Sequence, residues 1–213
     1  MTVCPSPFHP DLLLAEGLFL YLLFYWAKGT IETMKYVALL RGVNVGGNGM
    51  ISMITLRENF VKAGFKNVST YINSGNVFFS SNEKDARKLE QKIETLLTKK
   101  HDLKSRVIIR SFSEIERLVK KLPKAWDADK RWRRNIIFLS HSIDSKKIVE
   151  ELHPKPDIET VAYLPGTLIW SALIKKLTQT TMLKFSRAEM YKEVTVRNPN
   201  TLRKIYELMK EDK

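Results

Sequence analysis

The first half of the chain predicts short strands and helices in an order that few folds accommodate. That order is strand, helix, strand, strand, helix, strand, which is the split βαβ arrangement of ferredoxin-like folds. Two local signals within it are sharp: Ser52 is a typical helix N-cap, and Ser74-Gly75 is a typical two-residue hairpin turn. The predicted elements are a strand at 36–40, a helix after Ser52, strands at 68–73 and 76–80, a helix from Asn82, and a strand at 106–110.

The same order restarts in the second half of the chain. A linking helix with a predicted capping box at Ser113 and Glu116 comes first. Aligning Gly75 with Gly166 places Val-Phe-Phe-Ser opposite Leu-Ile-Trp-Ser, which favours an internal duplication. The alternative is that two apolar hairpins of this length are alike by chance. The predicted elements are a strand at 135–139, a helix capped by Asp144, hairpin strands at 160–164 and 167–171 around Pro165-Gly166, and a last helix over 199–211.

These patterns predict an α+β fold of two ferredoxin-like βαββαβ repeats, packed intimately or intertwined. The first repeat would cover residues 34–112, and the linking helix with the second repeat would cover residues 113–213. Residues 1–33 would be an N-terminal extension outside the fold. Met34, directly before the first strand, is an alternative first residue.

The extension contains an apolar run from Leu12 to Ala27. The run is shorter than the roughly 20 residues that span a bilayer, and Glu16 lies inside it. No Lys or Arg precedes it, as a signal peptide would require. We therefore expect no membrane span, with a membrane-associating segment as the alternative.

The composition is that of a basic globular protein. The 213 residues include 36 Lys and Arg against 23 Asp and Glu, which gives a formal net charge of +13. Such an excess favours anionic partners, either nucleic acid or small anions. The single cysteine, Cys4, allows no disulfide framework and points to a reducing compartment, so we predict a cytoplasmic protein.

A glycine-rich segment, Arg41-Gly-Val-Asn-Val-Gly-Gly-Asn-Gly49, follows the first strand. In that position, backbone N–H groups and a helix N-terminus can hold an anion. The segment is not a Walker loop, because Asn48 stands where the lysine is required, and it lacks the dinucleotide fingerprint. The alternative is that the glycines only permit a tight turn. The candidate anion-binding residues here are Arg41, Asn44, Gly46, Gly47 and Asn48.

Two further polar clusters complete a candidate anion site. One is the first hairpin turn, for which a plain turn is the alternative. The other is the start of the last helix, where Asn198 is a typical N-cap and Pro199 fits the first helical position. We hypothesise that all three clusters converge on one site. The candidate residues of these two clusters are Asn73, Ser74, Asn76, Arg197, Asn198, Asn200 and Thr201.

The densest basic patch is Trp126-Asp-Ala-Asp-Lys-Arg-Trp-Arg-Arg134. Such a patch can contact phosphates and stack a base. The alternative is a solvated linker whose tryptophans fold back onto the core. An RRM-type surface is not predicted, because the adjacent rings of Phe78 and Phe79 must point to opposite faces of a strand. The candidate nucleic-acid contacts are Lys130, Arg131, Trp132, Arg133 and Arg134.

No catalytic or metal-binding constellation is recognisable in the sequence. The four histidines stand apart, and there is no Gly-x-Ser-x-Gly elbow. We predict no metal and no cofactor, and whether the chain is an enzyme stays open.

Three segments, 38–47, 71–79 and 195–201, resemble the DUF1697 family, a domain of unknown function. The resemblance runs from about Met34 to the C-terminus. It implies an α+β fold with two ferredoxin-like repeats, and it supplies no activity, substrate or catalytic residue. The chain departs from the family pattern at Pro199, where an aromatic residue is more usual, and in residues 1–33.

Three functions remain open at this point. The leading hypothesis is that the protein binds a small anionic ligand through the three converging clusters. The first alternative is nonspecific nucleic-acid binding by a basic surface. The second is an enzyme acting on a phosphorylated or carboxylated metabolite, with Arg41 and Arg197 as charge clamps. The oligomeric state cannot be derived from the sequence.

Overall fold

Eight strands of the described residues form two four-stranded antiparallel sheets. The structure is a computed structural model that describes residues 33–44, 50–73, 75–123, 126 and 129–211. The apolar run of the N-terminal extension lies outside these residues, as do Gly46, Gly47, Asn48 and Ser74. The first sheet and its neighbours are β1 (Met34–Leu40), α1 (Met53–Lys62), β2 (Lys66–Tyr71), β3 (Asn76–Ser81), α2 (Ala86–His101), β4 (Val107–Ser111) and α3 (Phe112–Lys121).

The second sheet is built from elements in the same order. Its strand order, β6-β7-β5-β8, corresponds position by position to the order β2-β3-β1-β4 of the first sheet. The protein is therefore α+β with two similar sheet units. The elements are β5 (Trp132–Leu139), α4 (Lys147–Leu152), β6 (Glu159–Leu164), β7 (Thr167–Leu173), a 3₁₀ helix (Ile174–Gln179), α5 (Thr181–Phe185), a second 3₁₀ helix (Glu189–Glu193), β8 (Val194–Arg197) and α6 (Pro199–Glu211).

Three apolar clusters form the core of the part of the chain that the structure describes. One face of the first sheet packs on α1 and α2, and one face of the second packs on α4 and α5. The third cluster is shared by both halves and combines the opposite faces of the two sheets with α3 and α6. The central strands β1 and β5 are buried on both faces, which explains their continuous apolar runs. Phe78 lies in the shared cluster and Phe79 in the first, so the prediction that they face opposite ways is confirmed.

Local signals placed most of the elements, but three helix starts were predicted wrongly, those of α2, α3 and α4. The capping box of α3 is formed by Ser111 and Glu114, not by Ser113 and Glu116. Both pairs have the required spacing, but only Ser111 lies where β4 ends, so α3 begins with no linking segment before it. Helix α2 begins at Ala86 with Asp85 as its N-cap, rather than at Asn82.

The predicted cap at Asp144 is also wrong. Helix α4 begins at Lys147 without a side-chain cap. Asp144 Oδ1 instead accepts hydrogen bonds from the Gly166 N–H, at 2.8 Å, and from the Tyr163 hydroxyl, at 2.9 Å. A carboxylate that bonds a turn N–H stabilises the turn, so Asp144 holds the second hairpin.

Two further boundaries differ from the predictions, and one local prediction is confirmed. The first hairpin connection spans residues 72–75, since β2 ends at Tyr71 and β3 begins at Asn76. Strand β5 begins at Trp132, so the end of the basic patch is strand rather than linker. Asn198 caps α6 as predicted, accepting from the Thr201 N–H at 2.8 Å. In the part of the chain that the structure describes, no helix has the length and apolarity needed to cross a membrane.

Candidate functional site

Asn44 ties the glycine-rich loop to the first hairpin. After β1 the chain turns through Gly42 and Asn44, which both have positive φ angles, of 68° and 55°. The Asn44 Oδ1 accepts from the Ile51 N–H at 2.7 Å. Its Nδ2 donates to the carbonyls of Ile51, at 2.9 Å, and of Asn73, at 3.1 Å. The amide therefore closes the loop and joins two of the predicted clusters.

Arg197 brings the third cluster to the same place. Its Nη2 donates to the carbonyls of Leu40, at 3.0 Å, and of Gly75, at 3.3 Å. Its Nε donates to Asn76 Oδ1 at 2.7 Å, and its Nη1 donates to Thr195 Oγ1 at 2.8 Å. Burial lowers the pKa of Arg197 to about 10, so the guanidinium is still charged at neutral pH. Arg197 thus joins the two halves and places a positive charge inside the protein.

A groove of about 480 Å³ opens beside this junction. Arg41 lines it, donating from Nη1 to the Val194 carbonyl at 3.0 Å and lying 4.8 Å from the centre of the Tyr191 ring. No other described residue accepts a hydrogen bond from the Arg41 side chain. None of the described residues that line the groove is acidic. The polar and aromatic lining residues are Arg41, Tyr191, Thr195, Arg197, Asn198 and Thr201.

The remaining predicted residues have different surroundings. Asn73 is exposed and contributes its carbonyl to Asn44. Asn76 is buried, and its Nδ2 donates to the Tyr71 carbonyl at 3.0 Å. Asn200 is exposed and accepts from Arg203 Nη1 at 3.3 Å, away from the groove lining.

Part of the positive charge of the basic patch is neutralised by an acidic residue within it, Asp129. Arg131 Nε and Nη2 donate to the two oxygens of the Asp129 carboxylate, at 2.9 and 2.8 Å. These hydrogen bonds lower the pKa of Asp129 to about 2. Arg134 donates to the Asp129 carbonyl at 2.7 Å and lies 5.7 Å from the Trp126 ring, which packs against the shared core. Trp132 is half-buried at the start of β5. Lys130 and Arg133 are exposed.

Sequence reasoning missed a second buried arginine, Arg110, whose contacts mirror those of Arg197. Arg197 bonds the end of β1 and the turn glycine of the first hairpin. Arg110 Nη2 bonds the carbonyls of Leu139, at the end of β5, and of Gly166, in the second hairpin, both at 2.7 Å. Each half therefore sends one arginine to the corresponding place in the other half. We call these two sets of contacts the arginine bridges.

The two arginine bridges differ at Nη1, where the bond from Arg197 to Thr195 Oγ1 has no counterpart at Arg110, and at Nε. Arg197 Nε has Asn76 as its acceptor, whereas Arg110 Nε is buried and has no hydrogen-bond partner among the described residues. Thr167 occupies the place after the turn glycine that Asn76 occupies in the first hairpin. Its shorter side chain makes no hydrogen bond to Arg110 Nε, which accounts for the missing acceptor.

A second, smaller cavity of about 130 Å³ lies at Arg110, between α3 and the second hairpin. His141 lines it, with Nε2 3.7 Å from Glu90 Oε1. Burial raises the pKa of Glu90, against the opposing effect of a hydrogen bond from the Ile109 N–H. Within the described ranges no group of three His, Cys, Asp or Glu residues could hold a metal ion.

Comparison with known proteins gives a family and a fold. The model of the family described as "Protein of unknown function (DUF1697)" matches residues 34–170. The conserved bacterial protein SP0830 from Streptococcus pneumoniae has a similar structure, with a TM-score of 0.73 and 25% identity over 84% of this chain and 99% of that chain. An unknown protein from Galdieria sulphuraria aligns at 13% identity over 78% of this chain and 97% of its own, and its TM-score of 0.25 supports no argument. No protein with a curated functional description matches.

Proposed function

The chain belongs to the DUF1697 family of proteins of unknown function, and we propose that it binds a small anion in the groove beside Arg41 and Arg197. The observation that carries the proposal is the charge of the lining, which has two guanidinium groups and no carboxylate among the described residues. A cationic concave surface concentrates anions.

The two arginines would contribute differently to binding. Arg197 is committed to protein acceptors and is 8% exposed, so it acts through its buried charge. Arg41 is only partly buried and uses one of its five donors on the Val194 carbonyl. The remaining N–H groups of a guanidinium can form two parallel hydrogen bonds to a phosphate or carboxylate. Arg41 is therefore the direct contact in this proposal, and Arg197 raises the potential behind it.

The groove also has an apolar part. Leu40, Ile72 and the ring of Tyr191 line it together with the arginines. Such a mixture fits an organic molecule with one anionic end better than a bare ion. We propose phosphorylated or carboxylated small molecules as the ligand class.

The proposal is tested by titrating phenyl phosphate, benzoate and phenol into the protein in a calorimeter. We expect phenyl phosphate and benzoate to bind and phenol not to bind. Arg41→Met should weaken anion binding by about tenfold to a hundredfold, the range for hydrogen bonds to charged groups. Arg187→Met removes an exposed arginine elsewhere and is the matched control. Equal binding by both variants, or no binding by the wild type, would refute the proposal.

The two alternatives have less support from the geometry. Nucleic-acid binding would rest on Lys130 and Arg133, since Arg131 and Arg134 already bond Asp129. An enzyme would need an acid, base or nucleophile beside the anion, and the described lining offers only Thr195, Thr201 and Tyr191 in that role. Anion binding in the groove needs neither the basic patch nor a catalytic acid, base or nucleophile.

For the fold we propose two ferredoxin-like repeats that arose by duplication. The identical strand orders and the two arginine bridges support this interpretation. The division into residues 34–112 and 113–213, with residues 1–33 as an extension, stays a prediction. We propose one change to that division: because α3 follows β4 as α6 follows β8, α3 belongs to the first repeat. A cytoplasmic location remains our expectation from the single cysteine.

A further inference from the structure

The cavity at Arg110 differs in chemistry from the anion groove. Its lining combines three cations, Arg110, Arg117 and Lys121, with the carboxylates of Glu114 and Asp144. Both signs of charge in a space of about 130 Å³ give a simple anion little advantage there. The space is well above the roughly 15 Å³ that one water requires, so it is large enough for several waters or a small molecule.

The buried Nε of Arg110 needs an acceptor that the described protein does not provide. Arg110 is 4% exposed, and its Nη atoms are taken by three carbonyls, of Ile109, Leu139 and Gly166. Leaving a buried donor without a partner costs about 1–3 kcal/mol, more when the group is charged. Arg110 also lines the adjoining cavity, and an acceptor that reached Nε from there would remove that cost.

Two carboxylate oxygens in the same cavity lining also accept no hydrogen bond from the described residues. Glu114 accepts hydrogen bonds from Ser111 through Oε2, which leaves Oε1. Asp144 accepts from Gly166 and Tyr163 through Oδ1, which leaves Oδ2. These oxygens are acceptors suited to an ammonium group. The cavity wall between the charged groups is apolar and includes Ile115, Leu118 and Phe138.

We propose that this cavity binds a small zwitterion of the α-amino acid class, with its carboxylate toward Arg110 and its ammonium toward Asp144 and Glu114. A ligand with both charges satisfies both sets of unused groups, and a short apolar side chain matches the wall. The proposal does not depend on the anion groove, because it uses different residues of the other arginine bridge.

Calorimetric titration with L-alanine and L-valine tests the site, with propionate and ethylamine as probes that carry only one charge each. We expect at least one amino acid to bind at least tenfold more tightly than both single-charge probes. Equal binding of propionate and the amino acids, or no binding of either amino acid, would overturn the proposal.

Variants then locate the binding. Thr167→Asn supplies Arg110 Nε with the acceptor that Asn76 gives Arg197, and it fills part of the cavity. We expect it to abolish amino acid binding while its melting temperature stays equal to or above that of the wild type. Asp144→Asn keeps an oxygen for Gly166 and Tyr163 but removes the charge, so it should weaken binding at least tenfold. Should Thr167→Asn not fold, Asp144→Asn decides alone. Unchanged affinity in the folded variants would refute the site.

Discussion

Glu159 in β6 joins two elements through buried hydrogen bonds, although no local sequence signal marks it. Its side chain is 1% exposed and accepts hydrogen bonds from the Thr181 N–H, the Thr181 hydroxyl and Trp170 Nε1, at 2.7, 2.8 and 2.9 Å. Burial alone would raise the pKa of Glu159, but these hydrogen bonds outweigh it and lower the pKa below the ordinary 4.5. The carboxylate therefore anchors the start of α5 to the second sheet.

Glu159→Gln should destabilise the protein in a pH-dependent way. Because the pKa of Glu159 is lower in the folded state than in the unfolded state, its ionisation stabilises the fold above about pH 4.5, and that stabilisation is lost as the pH falls through the folded value. We expect a loss of about 1–3 kcal/mol at pH 7. The difference from the wild type should shrink below pH 4. Urea unfolding between pH 7 and pH 3 measures it, with exposed Glu150→Gln as the control; a constant difference would contradict the account.

The residue scale also shows where sequence reasoning reached the groove and where it did not. Arg41, Asn76 and Arg197 are predicted because they belong to a glycine-rich loop, a hairpin turn and a helix start that can together hold an anion. That Arg197 spends its donors on Leu40, Gly75 and Asn76 depends on contacts between the two halves, which no local pattern encodes. Arg110 was missed because its partners, too, lie in the other half of the chain. Its own place, within an otherwise apolar strand, gives no local signal of a site.

Among the elements, each of the two hairpin turns accepts a hydrogen bond from the arginine of the other half. Gly75 and Gly166 have φ angles of 75° and 79°. A Cβ atom on Gly75 would lie 2.7 Å from the Leu40 Cβ, and one on Gly166 would lie 2.6 Å from Arg110 Nη2. Both positions therefore require glycine for its conformation and for the space it leaves.

Gly166→Ala should cost more stability than an alanine at another left-handed glycine. Gly64 has a φ angle of 90°, but an added Cβ would meet nothing within 4 Å, so Gly64→Ala is the matched control. We expect about 1–2 kcal/mol for the control from backbone strain. The Gly166 variant should lose clearly more, because Arg110 must also move. Chemical unfolding compares the two variants, and equal losses would show that the close contact is unimportant.

Element type was predictable because the controlling signals are local. Ser52, Asn198 and Gly166 act within three or four residues, and each has its predicted role. A predicted helix start is wrong where two residues satisfy the same capping-box spacing, as Ser111 and Ser113 do. The prediction for Asp144 is wrong because its carboxylate bonds Tyr163 and Gly166 of the second hairpin, 19 and 22 residues along the chain, and no helix N–H.

At the scale of the whole molecule, both halves contribute to the shared core and to the arginine bridges. The prediction of an α+β fold with two similar units followed from the repeated order of elements and is consistent with the two sheets. The net charge of +13 alone could not indicate a site, because most lysines are exposed on helices. The groove differs because its two arginines have no carboxylate beside them in the described lining. Only the fold decides that the carboxylates lie elsewhere.

The most direct test of the central claim is a titration of ¹⁵N-labelled protein with phenyl phosphate, followed by two-dimensional NMR. Anion binding in the groove predicts that the largest shift changes fall on the backbone amides of Gly42, Val196 and Thr201 and on the Arg41 side chain. These shift changes should saturate with a single dissociation constant. The Arg41→Met variant should bind phenyl phosphate more weakly. Changes centred on Lys130 and Arg133, or spread evenly over exposed lysines without saturation, would contradict the proposed function.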